Sequence, residues 1–302
     1  MRVLISGATG LVGKNIVQVL HKQGYHIHYL TTSRDKVKDK KNYTGFYWNP
    51  IKGDIDIKCL ENVGVIIHLA GASISKRWTT KYKQEIIESR VLSTKVLYTL
   101  LKNTQNTVHH FISASATGVY PSSTDKVYNE DSPERDSSFL GTVVQQWEAA
   151  ADEINTLGIK VAKLRTGLVL SGKGGVLKEL AGPVRLGIGS AFGSGKQVQS
   201  WIHADDLACM YMHILKNGLE GVYNGVAPHP VTQHELVKTI AKVLDKPYFM
   251  PNIPQFVMRA VLGEMSTLLF DSQHVSARKI IDSGYQFKYL SLEKAITDAL
   301  AA

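Results

Sequence analysis

Apolar positions along the first two thirds of the chain switch repeatedly between two periods. Short runs rich in β-branched residues read as buried strands: RVLIS from Arg2, HIHYLTT from His26, VGVIIHLAG from Val63, VHHFISASA from Val108 and KVAKLRTGLVL from Lys160. Helical spacing takes over between them, at Leu11 to Gln23, about Thr79 to Lys102, and Ser137 to Ile154. The last of these aligns Phe139, Val143, Val144, Trp147, Ala150 and Ala151 on one face. Alternating strand and helix units predict a parallel sheet covered on both faces, and right-handed crossovers make it doubly wound.

After Leu170 the texture turns glycine-rich (SGKGGVLKELAGPVRLGIGSAFGSGKQVQSW), which predicts a lobe. The chain is expected to revisit the sheet at WIHADDLACMYMHIL and GVYNGVA, then to continue as helices near Thr232 to Leu244, Pro254 to Leu262, Ser272 to Ser283 and Ser291 to Leu300. The predicted class is therefore α/β: a Rossmann-type doubly wound parallel sheet with a smaller, mostly helical C-terminal substrate lobe. Residues 1–170 form the dinucleotide-binding domain, with 201–227 returning to it; 171–200 and 228–302 form the lobe.

Bulk properties narrow this picture only a little. At 302 residues, 44% hydrophobic and 20% charged, the chain can bury a large core. The net charge of +9 is spread over scattered lysines, and the densest run, SRDKVKDKK from Ser33, is broken by two aspartates, so a solvated loop is expected and nucleic-acid binding is not. Cys59 and Cys209 have no metal-ligand spacing and read as small buried hydrophobes of a reducing compartment. With no export signal and no apolar run near 20 residues, a cytoplasmic protein without membrane contact is expected.

The first strand and helix hold the clearest chemistry. In VLISGATGLVGKNIVQVL, Gly7, Gly10 and Gly13 lie between an apolar strand and an amphipathic helix. The three glycines suit a tight reversal, close backbone approach to a pyrophosphate and close helix packing; the helix N-terminus offers free N–H groups to the anion. Thr9, Leu11 and Val12 complete the turn. An NAD enzyme would place an acid about 20 residues later, but the second strand ends in Thr31, Thr32, Ser33 and Arg34, hydroxyls and a guanidinium suited to a 2′-phosphate. Thr31 and Arg34 make NADP(H), rather than NAD(H), the expected cofactor.

With GATGLVG, HLAG (His68, Leu69, Ala70, Gly71), SASATGVY (Ser113 to Tyr120), LRTGLVL and WIHADDLA, the chain resembles the extended short-chain dehydrogenase/reductase superfamily. AGASISKRWTTKYKQEIIESR, WEAAA, GSGKQVQSWIH and the tail GEMSTLLFDSQHVSARKIIDSGYQF are more narrowly similar to its epimerase/dehydratase-like branch, which ends in a small helical domain. The resemblance implies that His68 to Gly71 pass beneath the adenine and ribose, that Arg165 to Gly167 approach the nicotinamide, and that Ser113 belongs to the cofactor site. It also implies pairing of two copies through the long helices.

That superfamily usually pairs a tyrosine acid/base with a lysine that lowers its pKa, next to a Ser or Thr. Alignment here puts Ala116 at the Ser/Thr, Phe139 at the tyrosine and Val143 at the lysine, and none of these transfers a proton. Two readings follow. Either the protein is an NADP(H)-dependent oxidoreductase or nucleotide-sugar-epimerase-like enzyme whose proton passes through Ser115, Thr117 or Tyr120, with Arg77 and Lys83 clamping a small, anionic substrate under a mobile loop containing Gln197. Or it is an NADP(H)-binding sensor without turnover. GIGSAFGSGKQ lacks the Ser or Thr of a nucleotide P-loop. In HADD, Asp205 is expected to cap a helix and His203 to bond between lobes, with no metal.

Overall fold

A computed structural model describes residues 1–301. Seven parallel strands build the sheet: β1 (Arg2–Ser6), β2 (His26–Thr31), β3 (Tyr43–Asn49), β4 (Val63–His68), β5 (His110–Ala116), β6 (Lys160–Thr166) and β7 (Gly221–Gly225). They lie in the order β7-β6-β5-β4-β1-β2-β3, and two short antiparallel segments, Asp39–Lys40 and Asp54–Ile55, pair with β3. Alternating side chains feed opposite cores: Val3 and Ile5 of β1 pack with Val65 and Ile67 on one face, whereas Leu4 packs with Ile66 on the other. Strands buried on both faces must be apolar throughout, which is why these runs are continuous and not alternating.

Helix α1 (Leu11–Lys22) contributes Ile16 and Leu20 to the first face. The second face is covered by α2 (Thr80–Asn103) through Leu97, Leu100 and Leu101, and by the end of α3 (Phe139–Asp152) through Ala151. A third core joins α4 (Val176–Arg185), α6 (Gln233–Val243) and α8 (Leu292–Ala301) through Leu177, Val184, Leu236, Ile240, Ile296 and Ala299. Helix α5 (Ala204–Asn217) returns to the first face beside α1, and α7 (Gln255–Leu262) lies in the tail. No helix among the described residues is long and apolar enough to cross a membrane.

Three sequence expectations change here. Cys59 is buried, and burial pushes its thiol up to about 12, but Cys209 is exposed on α5. His203, not Asp205, caps α5: its Nδ1 accepts from the Asp205 N–H at 3.1 Å. His203 reaches the lobe only at 3.4 Å, Nε2 to Asp298 Oδ2, and the close inter-lobe bonds belong to Asp206, whose carboxylate accepts from the Tyr285 hydroxyl at 2.8 Å and from the Lys288 and Tyr289 amides at 2.9 Å.

The helix expected over Ser272 to Ser283 shrinks to Arg278–Asp282. Upstream of it the backbone is a strap: Gln273 N–H donates to Val198 O at 3.0 Å, Val275 N–H to Ser200 Oγ at 2.9 Å, and Ser276 N–H to Tyr128 O at 2.8 Å. Backbone groups bonded to two other segments cannot also close helical turns. The strap brings Asp271 and Gln273 to the carboxyl ends of β5 and β6.

Candidate functional site

Strand order reverses between β1 and β4, the place where an open α/β sheet leaves a crevice. Gly7 leaves β1 with φ +72°, and a Cβ there would stand 3.0 Å from the Leu69 backbone. At Gly13 a Cβ would be 2.2 Å from Gly7 O, so α1 starts against the turn only because both positions lack side chains. Gly10 is the α1 N-cap without a side-chain cap, and no acid stands in the first turn. The Leu11, Val12 and Gly13 amides therefore present an uncapped, positive helix end beside exposed Thr9, a cradle that fits a pyrophosphate.

His68 serves this crevice from inside the core. Its ring is fully buried, which lowers its pKa to about 3 and keeps it neutral. Ser6 Oγ accepts from the Leu69 and Ala70 amides at 3.0 and 3.1 Å, so its proton goes to His68 Nδ1 at 2.7 Å. His68 Nε2–H then donates to Ser93 and Thr94 Oγ, each at 3.1 Å. The side chain thus fixes the Leu69–Gly71 backbone against Gly7 and touches no ligand space, a correction to its expected place under the cofactor.

Next to the crevice lies a cavity of about 220 Å³, lined on the sheet side by Ala116, Thr117, Thr166 and Gly167, and on the helix side by Val143 and Trp147. That is below the roughly 300–1,000 Å³ of common small-molecule pockets, so it admits a small molecule or one end of a larger one. Val143, at the lysine position, forms part of its wall. Phe139, at the tyrosine position, lies instead against Trp78, with ring centroids 5.3 Å apart.

Of the three candidate proton-transfer residues, the cavity receives only Thr117. Ser115 is buried and donates to Glu148 Oε1 at 2.6 Å. Glu148 accepts from Arg165 Nε and Nη2, both at 2.8 Å, and Arg165 Nη1 donates to the Tyr120 hydroxyl at 2.8 Å, which donates onward to Asn224 Oδ1 at 3.0 Å. Burial raises the Tyr120 phenol pKa, with Arg165 only partly opposing it. Ser115, Tyr120 and Arg165 are therefore joined in one buried polar strut under the cavity floor. Their side chains correct the expectation that they meet substrate or nicotinamide.

Other expected contacts are also taken up within the protein. Ser113 is buried and donates to Ala114 O at 2.9 Å. The Gln197 amide is buried and donates to Phe192 O and Leu269 O at 3.0 and 2.9 Å, so it ties its loop to the tail and is not offered to a ligand. Lys83 pairs with Glu264 and lies over the Phe139 ring, and exposed Arg77 does not line the cavity. Arg34, at the tip of β2, lies exposed with its guanidinium 4.0 Å from the Tyr47 ring centroid, while Thr31 Oγ1 accepts from Ser33 N–H.

The cavity's charged groups come from places that the sequence reading did not single out: Arg90 from α2, Asp136 before α3 and Asp271 from the strap. Asp136 also accepts from the N–H of Ser138, the α3 cap. Burial, and then the neighbouring Asp136 charge, raise the Asp271 pKa from 3.8 to about 6. A carboxyl raised in the folded state favours folding most below its unfolded pKa, and that contribution is lost as pH rises through about 6. A carbon-13 carboxyl titration should place the Asp271 midpoint near 6, and Asp136→Asn should move it down. A midpoint at the ordinary aspartate value in the native chain contradicts this geometry.

His203, Asp205 and Asp298 bring potential ligand atoms within 4.8 Å of one another. Because His203 Nδ1 accepts a hydrogen bond, the neutral ring holds its proton on Nε2, 3.4 Å from Asp298 Oδ2. That tautomer has no lone pair to offer a cation there.

Comparison with known proteins agrees with the geometry. The model of the NAD dependent epimerase/dehydratase family matches residues 3–225, and that of a domain of unknown function, DUF1731, matches residues 253–299. Epimerase family protein YfhF of Bacillus subtilis is 35% identical over 302 residues, covering 100% of this chain and 98% of its own. An epimerase family protein of Staphylococcus aureus is 38% identical over 299 residues, covering 99% and 98%. Human epimerase family protein SDR39U1, solved with NADPH, superimposes with a TM-score of 0.85 at 29% identity, covering 100% of this chain and 99% of that one. MoeE5, solved with UDP-glucuronic acid and NAD, shares the fold with a TM-score of 0.80 at 20% identity. The chain belongs to the NAD dependent epimerase/dehydratase family.

Proposed function

We propose that the protein binds NADP(H) in the Gly7–Gly13 cradle and acts as an oxidoreductase or epimerase-like enzyme on a small molecule held in the adjoining cavity. The observation that carries this reading is the cradle itself, with Gly13 packed against Gly7 O beneath an uncapped helix end at the sheet's reversal point. The NADPH held by the SDR39U1 structure supports it. When bound, such a cofactor supplies or accepts a hydride. Residues 7–13 hold its phosphates, the Leu69–Gly71 backbone limits the crevice, and Val143 and Trp147 keep water from one wall of the cavity. Thr117, Asp136 and Asp271 are among the cavity groups able to give a proton to, or take one from, a ligand oxygen.

Arg34 favours the phosphorylated cofactor, because no acid other than Asp35 ends β2 and Asp35 already accepts from Ser33 Oγ at 3.1 Å. Arg34→Gln is expected to weaken NADPH binding roughly tenfold, about 1.4 kcal/mol, near the low end for a charged hydrogen bond. NADH binding should stay within a factor of about two. Fluorescence titration of both cofactors checks this; equal losses for the two overturn the assignment. A sensor without turnover is the second reading, favoured by the burial of Ser115 and Tyr120 in the strut. Transfer of label from 4-deuterated NADPH to a metabolite in cell extract supports the enzyme; intact binding without transfer supports the sensor.

A further inference from the structure

Fourteen large apolar side chains stand exposed among the described residues, and seven of them fall in two short segments, 185–192 and 246–262. The segments touch. Ile253 N–H donates to Ala191 O at 2.8 Å, Gly193 N–H donates to Ile253 O at 2.9 Å, and Ser190 Oγ donates to Pro251 O. Leu186 and Ile188 lie in the turn that leaves α4, where Gly187 has φ +75°, and Phe249 and Met250 precede α7. Helix α7 buries none of its residues, and Phe256, Val257 and Val261 are exposed along it. A concentration of exposed apolar area of this kind marks an interaction surface.

The charge on the two segments is of one sign. Arg185, Lys246 and Arg259 are exposed, and no Asp or Glu occurs in 185–192 or 246–262, although Asp245 stands just outside. None of the three cations is paired with an acid among the described residues. Leu186, Phe249 and Phe256 are 76%, 73% and 73% exposed, so they project from the surface and do not lie along it. A protein partner would need a preformed pocket for each, whereas the acyl boundary of a bilayer closes around a projecting side chain from every side. A second copy meeting this patch across a two-fold axis would set the three cations against themselves. Anionic headgroups complement them. We propose that this face docks on an anionic lipid surface, with Leu186, Phe249 and Phe256 entering the acyl boundary and Arg185, Lys246 and Arg259 on the headgroup phosphates. Surface docking needs no spanning helix, so the lack of an apolar run near 20 residues, from which no membrane contact was expected, does not bear on it. The proposal is independent of the nicotinamide reading.

The test is co-sedimentation of the full chain with vesicles of phosphatidylcholine alone and of phosphatidylcholine mixed with phosphatidylglycerol. Half-saturation on the order of 0.1 mM lipid is expected with the anionic vesicles, the strength of a single acyl anchor, and binding to the neutral ones should be at least roughly tenfold weaker. Phe249→Ser combined with Phe256→Ser should weaken anionic binding by at least about tenfold. Arg185→Gln, Lys246→Gln and Arg259→Gln together should remove the preference for the anionic vesicles. All five side chains are exposed, so both variants should unfold at the native temperature. If either does not fold, Phe256→Trp in the otherwise native chain decides: with anionic vesicles its emission should shift to the blue and be quenched by brominated acyl chains. Equal binding of the native chain to both vesicle types, undiminished binding by the serine variant, or an unchanged Phe256→Trp emission each overturns the proposal. No sedimentation with anionic vesicles also overturns it and leaves the face to a protein partner. Self-association of the native chain that the serine variant abolishes does the same and assigns the face to a second copy.

Discussion

Replacing Glu148 by alanine is expected to lower the stability of the folded chain by about 3–5 kcal/mol, the loss typical of a buried ion pair with one partner removed. Arg165 is only 2% exposed, and its fork donates twice to Glu148 at 2.8 Å. Burial alone would raise the Glu148 pKa, but Arg165, Ser115 and Lys163 outweigh it and hold the carboxyl below its usual range. Removing it strands the guanidinium and the Ser115 hydroxyl, whereas Lys163, whose Nζ lies 3.9 Å from Glu148, keeps Asp152 at 2.7 Å. Replacing both members, Glu148→Leu with Arg165→Met, should recover much of the loss, because the desolvated charges disappear together. Urea denaturation measures both changes. A single-mutant loss under about 1 kcal/mol, typical of an exposed pair, contradicts the strut.

Gly13→Val is expected to weaken NADPH binding by on the order of 100-fold, about 2.7 kcal/mol, and to cost about 1–3 kcal/mol of stability through overpacking. The first atom of the new side chain meets Gly7 O at 2.2 Å and Ala8 Cα at 2.8 Å, all backbone, so relief requires moving α1 away from β1. That movement opens the turn whose amides would hold the phosphates. Gly10→Ala should be milder, since its Cβ would stand 3.2 Å from Gly7 O and little else is near. NADPH fluorescence and thermal unfolding on the two variants rank them. Equal cofactor affinity in Gly13→Val and the native chain contradicts the cradle.

The sheet and the cradle were legible because they rest on local signals. Continuous apolar runs mark strands buried on both faces, and Gly7, Gly10 and Gly13 stand where strand meets helix. The missing acid/base dyad was legible for the same reason: Phe139 and Val143 occupy positions on one helix. Residues joined across long separations were not. Glu148 lies one turn after Val144 on the buried face of α3, and a charge there was the available signal, but its partner is 17 residues on. Arg90 likewise stands between Ile86 and Thr94 on the buried face of α2 and could have been found the same way.

Asp271 offered no such signal. FDSQHVSARKII has helical spacing, and only backbone bonds to Val198 and to Ser200, more than 70 residues away in sequence, make it a strap. Ser115 and Tyr120 show the reverse error. Residue type and position suggested chemistry, yet in a parallel sheet the side-chain alternation of β5 points Ser115 toward Glu148, and Tyr120 closes onto Arg165.

Calorimetric titration of the intact native chain with NADPH and with NADH tests the whole account most directly. One cofactor per chain, with NADPH the tighter of the two, is the expected result. Folded protein that gives no heat with either cofactor would contradict it.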